Sequence, residues 1–331
     1  MAELHFKKGL YKHYAPLLFR FYKLRAAFDL WRWGKDKTET AQLSQVYWNR
    51  YLGKKFVGEV KRIGARPYLG EDLIGDARGN AYILGCGPSI NKVTPAEWEI
   101  ISKGFSVGLN AFFVHDFQAN AYFSEFCDVD EFYELIYSCL LNNPARKNAQ
   151  AYLSAKYILL KSSKYRKPTV QNPLWYIANS VKLLDEDLLR HILAPYFDVN
   201  SKNDGFSHHV SNTDTAINFC VRKGYKKIYL VGMDLSNDGY FWDFEDNETY
   251  VKARCFIAKL NAVRDSIPDK QGLHLIASKS IAEVRGNFTI VEYLQFLQTS
   301  ILAPLGVQLY VCNPSSLLTE VLPYIPIQEV E

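Results

Sequence analysis

The chain has no apolar run as long as 18 residues anywhere in its 331, so no segment reads as a conventional membrane-crossing helix. It also lacks a secretory signal with a cleavage site. Its six cysteines, Cys86, Cys127, Cys139, Cys220, Cys255 and Cys312, are scattered. No pair has metal-ligand spacing and no disulfide framework is evident. Most lie in apolar runs, where cysteine behaves as a small hydrophobe, and the pattern fits a reducing compartment. Charge imbalance is slight: a formal net charge of +4 does not argue for nucleic acid, and no DNA- or RNA-recognition motif is present. Internal repeats and low-complexity tracts are missing. These absences point to a cytoplasmic protein that at most touches the inner face of the cytoplasmic membrane, with no nucleic-acid partner.

What is present is apolar and aromatic. Hydrophobic residues make up 48% of the chain, enough for a large core in one α/β unit or two abutting lobes, and 15% are aromatic. Residues 5–35, "HFKKGLYKHYAPLLFRFYKLRAAFDLWRWGK", interleave aromatic and basic side chains with almost no acids. Such a segment suits an anionic membrane surface, or equally a helix that packs on the domain with its lysines in water. Residues 1–78 are read as a basic, helical N-terminal region and 79–331 as the main domain. Within 36–78 we expect helix followed by loop.

From residue 80 strands and helices alternate. Strands are predicted at 81–85, 105–110, 121–126, 156–161, 226–234 and 307–312. Helices are predicted at 94–104, 131–142, 146–157, 179–193, 213–224 and 289–306, with loops over 162–176 and 199–215. Thr94, Pro95 and Glu97 form a helix start with a capping box, and Gly104 a stop. The alternation predicts a Rossmann-like parallel sheet covered by helices. Two glycine loops, "LGCGPSI" at 84–90 and "GMDLSNDG" at 232–239, fall at the carboxyl ends of strands, where open α/β sheets bind ligands. Gly85 and Gly87 allow close backbone approach, and Ser89 offers a hydroxyl to a phosphate. The loop is neither a P-loop, since the lysine is missing, nor G-x-G-x-x-G, since residue 90 is Ile. A plain strand–helix turn is the competing reading. Asp234 ends a buried strand, as a reactive carboxylate or as a turn cap or ribose ligand. "DVDE" at 128–131 has the letters of a metal motif but lies at a helix start.

Taken in order, "LGCGPSI", "GYKKIYLVGMDLSNDG" and "VQLYVCNPSSLL" resemble segments of the bacterial sialyltransferases that use CMP-sialic acid. The resemblance covers roughly residues 80–126 and 208–318. It implies a sialyltransferase-like α/β domain with a lid or second small lobe. It also implies transfer of a CMP-activated ulosonic acid, without metal or other cofactor, to a lipopolysaccharide or surface-polysaccharide acceptor. It assigns Gly85, Gly87, Ser89 and Asn110 to nucleotide and donor, and Ser211, Asn212 and Thr213 to the donor. The family's phosphate-binding tyrosines fall on Ser236 and Trp242, with Tyr240 close by. The family's catalytic histidine has no counterpart in "AEVRGNFTIVEYL"; the nearest, His274, lies on a predicted apolar strand.

Retaining Kdo transferases look like relatives of the same fold. They imply instead a carboxylate nucleophile and a covalent intermediate, for which Asp234 is the candidate. Ser278, Lys279 and Arg285 are eligible partners for the donor carboxylate. His208 and His209 are candidate acid/base groups or a solvated loop pair. The preferred expectation is retaining transfer of Kdo from CMP-Kdo. Alternatives are inverting sialyl transfer with a relocated base, a pyrophosphokinase-like or other nucleotide-binding domain, and a non-enzymatic binding protein.

Overall fold

The computed structural model describes residues 15–62, 64–69, 77–125, 130–154, 169–200, 205–209, 211–236, 238–264, 276–279, 282 and 288–330. Eight strands form one sheet: β1 (Arg66–Pro67), β2 (Asn80–Leu84), β3 (Phe105–Leu109), β4 (Ala121–Ser124), β5 (Gln150–Ser154), β6 (Leu174–Tyr176), β9 (Lys227–Val231) and β10 (Gln308–Val311). Their order is β1-β6-β5-β4-β3-β2-β9-β10, and every pairing is parallel. Two short strands, β7 (Ala178–Ser180) and β8 (Phe206–His208), pair parallel in a second sheet.

The chain moves outward from β2 through β3, β4 and β5 to β6, then returns to lay β9 on the other side of β2. The direction of winding therefore reverses between β2 and β9. At such a switch point the loops leaving adjacent strand ends turn to opposite faces and open a crevice.

The central strands are buried on both faces, so their sequences are continuous apolar runs. Their alternation divides the core in two. Ala81, Ile83, Val107, Phe123, Ile228 and Leu230 face one layer. Tyr82, Leu84, Tyr122, Tyr229 and Val231 face the other. On the first face lie residues of α1 (Ala15–Arg32), α5 (Glu186–Phe197), α6 (Asn212–Arg222) and α8 (Ile290–Phe296, continued by a π-helical turn over Leu297–Leu302). On the second lie residues of α3 (Pro95–Lys103), α4 (Asp130–Ile136) and α7 (Glu248–Arg264). The long α2 (Thr40–Arg62) packs on α1, β1 and β7, and β1 extends the main sheet at its edge. No helix among the described residues is long and apolar enough to cross a membrane.

Six aromatic rings of the first layer pack together under one half of the sheet. Phe206 stacks on Tyr68 at 4.2 Å and meets Phe123, Tyr176 and Phe219 edge-on. Phe123 stacks on Tyr152 at 4.6 Å. These rings lie beneath the ends of β4, β6 and β8 and fix the positions of the residues that follow.

Several expectations are corrected. Residues 150–154 of the expected helix form β5, and 174–176 of the expected loop form β6. The helix expected over 179–193 begins only at Glu186, capped by Asp185, after β7. The expected loop over 199–215 contains β8. The strand expected at 156–161 lies outside the described residues, as do His274, Arg285, Cys127 and the first two residues of "DVDE". The helix at 94–104 has the expected caps: Thr94 accepts from the Glu97 N–H, and the Glu97 carboxylate accepts from Thr94.

We expect Phe123→Ala to destabilise the protein by about 3–5 kcal/mol, since it opens a cavity among four other rings. Urea denaturation at neutral pH measures this. A loss below about 1 kcal/mol would mean that the ring cluster does not support these strand ends.

Candidate functional site

At the switch point three loops are held on one carboxylate. Asp234 follows β9 and is buried. Its Oδ2 accepts the backbone N–H of Ser89 at 2.8 Å. Its Oδ1 accepts the Ser89 hydroxyl at 2.5 Å and the Asn313 side-chain amide at 2.6 Å. Ser89 belongs to the loop after β2 and Asn313 to the loop after β10, so Asp234 ties the ends of β2, β9 and β10 together. Ser316 adds a bond from its hydroxyl to the Met233 carbonyl, 2.5 Å.

Backbone contacts reinforce the clasp. The Gly85 N–H donates to the Val231 carbonyl at 2.8 Å and the Gly87 N–H to the Gly232 carbonyl at 2.9 Å. A Cβ at Gly85 would strike the Gly232 carbonyl, and one at Gly87 would strike the Asp234 carboxylate. The glycines at 85 and 87 are thus required by the approach of the β9 loop. Ser89 gives both its N–H and its hydroxyl to Asp234, so neither is offered to a phosphate in this arrangement. Asp234 in turn is an engaged structural carboxylate here, with three hydrogen bonds accepted.

The second set of residues gathers at the ends of β3, β4 and β8 and at the start of α6. Asn110 follows β3 with φ +50°, and Leu235 follows Asp234 with φ +60°. Among the described residues these two alone combine a side chain with positive φ. Asparagine tolerates that conformation; leucine is strained in it by roughly 1–3 kcal/mol. The side chains of Asn110 and Asn212 meet at 2.7 Å, and the Asn110 carbonyl accepts the Ser124 hydroxyl at 3.0 Å. With the Asn212 amide turned, its nitrogen reaches Glu125 Oε1 at 3.0 Å. His208 Nδ1 lies 3.4 Å from Glu125 Oε1 and 4.0 Å from Asp214 Oδ1. Ser211 caps α6 through a capping box with Asp214. The Thr213 hydroxyl donates to the Met233 sulfur at 3.7 Å, which links this set to the Asp234 loop.

The two histidines part company. His208 is partly open to solvent at the sheet edge, beside Glu125. His209 is buried, stacked on Tyr293 at 4.4 Å, with Nδ1 directed at the Val181 carbonyl. It lies inside the α6–α8 layer and is removed from the candidate acid/base groups. Burial pushes the His209 imidazole down to about 4, helped by the charges of His208 and Lys182 and opposed by the Val181 carbonyl. Burial likewise pushes the Asp214 carboxyl up to about 6, against the pull of His208 and of the His209 N–H.

Tyr240 stacks on Trp242 at 4.7 Å. Their loop is tied to the β2 loop by the Phe241 N–H on the Cys86 carbonyl, 3.1 Å, and by the Asn91 amide on the Phe241 carbonyl, 2.8 Å. Trp242 is buried, so it supports the loop rather than facing the crevice. Ser236 follows Leu235. Ser278 is buried near the start of α8 and Lys279 is exposed. Sequence reasoning missed Glu125, Asp214 and Asn313. Among the described residues no group of three or more His, Cys, Asp or Glu is arranged to hold a metal ion.

No family model matches the chain, and no curated protein matches it. Among solved structures it is similar to the sialyltransferase CstII from Campylobacter jejuni bound to cytidine-5'-monophosphate. The identity is 17% over 76% of this chain and 87% of that one, with a TM-score of 0.41. It is similar to an alpha-2,3-sialyltransferase from Campylobacter jejuni, with 12% identity over 78% and 85% and a TM-score of 0.40. It is also similar to the MAf glycosyltransferase from Magnetospirillum magneticum AMB-1, with 11% identity over 89% of this chain and 41% of that one and a TM-score of 0.44. At these identities and scores no residue role passes from those proteins to this one.

Two outcomes follow from the geometry. Ser89→Ala and Asn313→Ala each remove one donor from the same Asp234 oxygen, so each should cost about 1–2 kcal/mol, and the double variant should depart from additivity by at least 0.5 kcal/mol. Strict additivity in urea denaturation would break the clasp into unrelated bonds. The second outcome concerns pH. Between about pH 4 and pH 6 the folded pair holds its proton on Asp214, with His209 neutral. The unfolded pair holds one proton too, on His209. The two contributions cancel, and each single variant should expose the other. In Asp214→Asn, stability should fall as the pH drops from about 6.5 to 4, by roughly 2–3 kcal/mol. In His209→Gln, it should fall by a similar amount as the pH rises from about 4 to 6. Unfolding curves across that range with the wild-type slope in both variants would contradict the assignment.

Proposed function

We propose that the protein is a glycosyltransferase that takes a 3-deoxy-ulosonic acid from its CMP-activated donor and gives it to a hydroxyl of a glycan or glycolipid. The observation that carries the reading is the convergence of three ordered motifs on one crevice. The β2 loop, the Asp234 loop and the β10 loop resemble the sialyltransferase segments in sequence, and they are hydrogen-bonded to one another at the switch point. The second polar set stands on the same edge of the sheet and supplies the groups that acid/base chemistry requires.

In this reaction the acceptor oxygen attacks the anomeric carbon. The bond from that carbon to the phosphate oxygen breaks, and CMP leaves with the electron pair. The acceptor proton goes to His208. Its Nδ1 lies 3.4 Å from both the Glu125 carboxylate and the Thr215 hydroxyl, which orient the ring; Glu125 stabilises the imidazolium, and Nε2 is left to receive the proton. The amino-terminal end of α6 carries partial positive charge and favours the anionic donor. Displacement at a single step inverts the anomeric centre.

A retaining transfer of Kdo through Asp234 has one observation in its favour. Asp234 lies at the end of β9 beside the β2 loop, and its Oδ2 accepts a single hydrogen bond in the described geometry, from the Ser89 N–H. It would have to leave the clasp to attack, and for that reason the single displacement is preferred.

Thermal denaturation with nucleotides tests the donor class. CMP should raise the melting temperature and ATP and NAD should not; stabilisation by ATP alone would favour a pyrophosphokinase-like domain. With CMP-Kdo and CMP-sialic acid as donors, His208→Gln should lower kcat by ~10²-fold or more, with donor KM within about threefold. Intact mass of the protein incubated with donor separates the mechanisms. A sugar adduct that disappears in Asp234→Asn would replace the single displacement with the retaining one.

A further inference from the structure

Helix α1 turns two opposite faces outward and inward. Ala26 and Leu30 are fully buried against the body of the protein. Tyr22 meets Trp48 and Tyr51 of α2 at 6.1 Å each. On the other side Phe21, Leu24, Phe28 and Trp31 are 59%, 72%, 57% and 70% exposed. Their spacing of three, four and three residues lines them up along one face, opposite Ala26 and Leu30. Phe28 and Trp31 contact each other at 5.8 Å. Four large side chains in water along one helical face make a contiguous apolar patch, not a scatter of single exposed residues.

The flanks of this stripe are basic. Helical geometry puts Arg20 and Lys23 on one side of it and Arg25 and Arg32 on the other, and all four are exposed. The single acid of the helix, Asp29, accepts the Tyr47 hydroxyl at 2.7 Å and pairs with Arg25 at 3.6 Å, so Arg20, Lys23 and Arg32 carry the net positive charge of the flanks. The far end of the α1 segment is fastened by Lys35, which pairs with Asp185 at 2.9 Å and Asp187 at 3.1 Å at the start of α5.

We propose that the outer face of α1 docks in the plane of an anionic lipid bilayer, with Phe21, Leu24, Phe28 and Trp31 in the headgroup–acyl boundary and Arg20, Lys23 and Arg32 among the phosphates. Charge decides the occupant. A second copy of the chain pairing through this stripe would bring two basic rims together, whereas anionic headgroups neutralise both flanks at once. The inference is independent of the reaction proposed above.

Vesicle flotation of the full chain tests it. The protein should float with vesicles of phosphatidylcholine containing about one-third phosphatidylglycerol, and at least tenfold less with pure phosphatidylcholine or at high salt. Leu24→Glu/Trp31→Glu changes only exposed positions and should keep the wild-type melting temperature while losing flotation at least tenfold. The inference is overturned if the wild type does not float, or if the double variant floats equally well. It is also overturned if light scattering shows a dimer that the double variant abolishes while neither protein binds vesicles.

Discussion

One carboxylate holds three strand ends in register. Asp234 is buried, and a buried carboxylate persists only when its lone pairs are satisfied. Ser89 and Asn313 satisfy them. The partners come from the loops after β2 and β10, so the hydrogen bonds that solvate Asp234 also join the ends of β2, β9 and β10. Everything nearby accommodates this clasp. Gly85 and Gly87 have no room for a side chain, and Leu235 accepts a positive φ immediately after Asp234. Strain at that position is held in place by the bonds on either side of it.

The second polar set is coupled to the clasp through α6. Thr213 reaches Met233, and Asn212 reaches Asn110, so the amino-terminal end of α6 is fixed against both the β9 loop and the end of β3. The aromatic layer beneath, with Phe123, Phe206 and Phe219 in mutual contact, prevents these ends from shifting independently. A rigid apolar base supporting a polar edge is what acid/base chemistry requires, since a proton-transfer pair must hold its geometry.

Local signals were legible in the sequence, and long-range ones were not. The α3 start could be read from Thr94, Pro95 and Glu97 because a capping box is complete within four residues. The parallel sheet could be read from the alternation of strands and helices after residue 80. The stretch around β5 reads as helix because Ala, Gln, Leu and Lys are good helix formers, yet pairing between β4 and β6 overrides that preference. β7 and β8 have three residues each, too few to show a period. The Asp234 position was visible as a lone carboxylate ending an apolar strand, but its clasp was not, since Ser89 and Asn313 are distant from it in the chain. Glu125 and Asp214 carried no motif of their own. Asn313 lay inside a motif, "VCNPSS", without a signal for its partner.

The account rests on the crevice between β2 and β9 being a nucleotide site. A crystal structure of the protein with CMP tests this most directly. The account predicts the cytidylate at the carboxyl ends of β2 and β9, its phosphate directed toward the start of α6, with the Asp234–Ser89–Asn313 clasp intact beneath it. Cytidylate bound away from that edge, or a saturated crystal with the crevice empty, would contradict it.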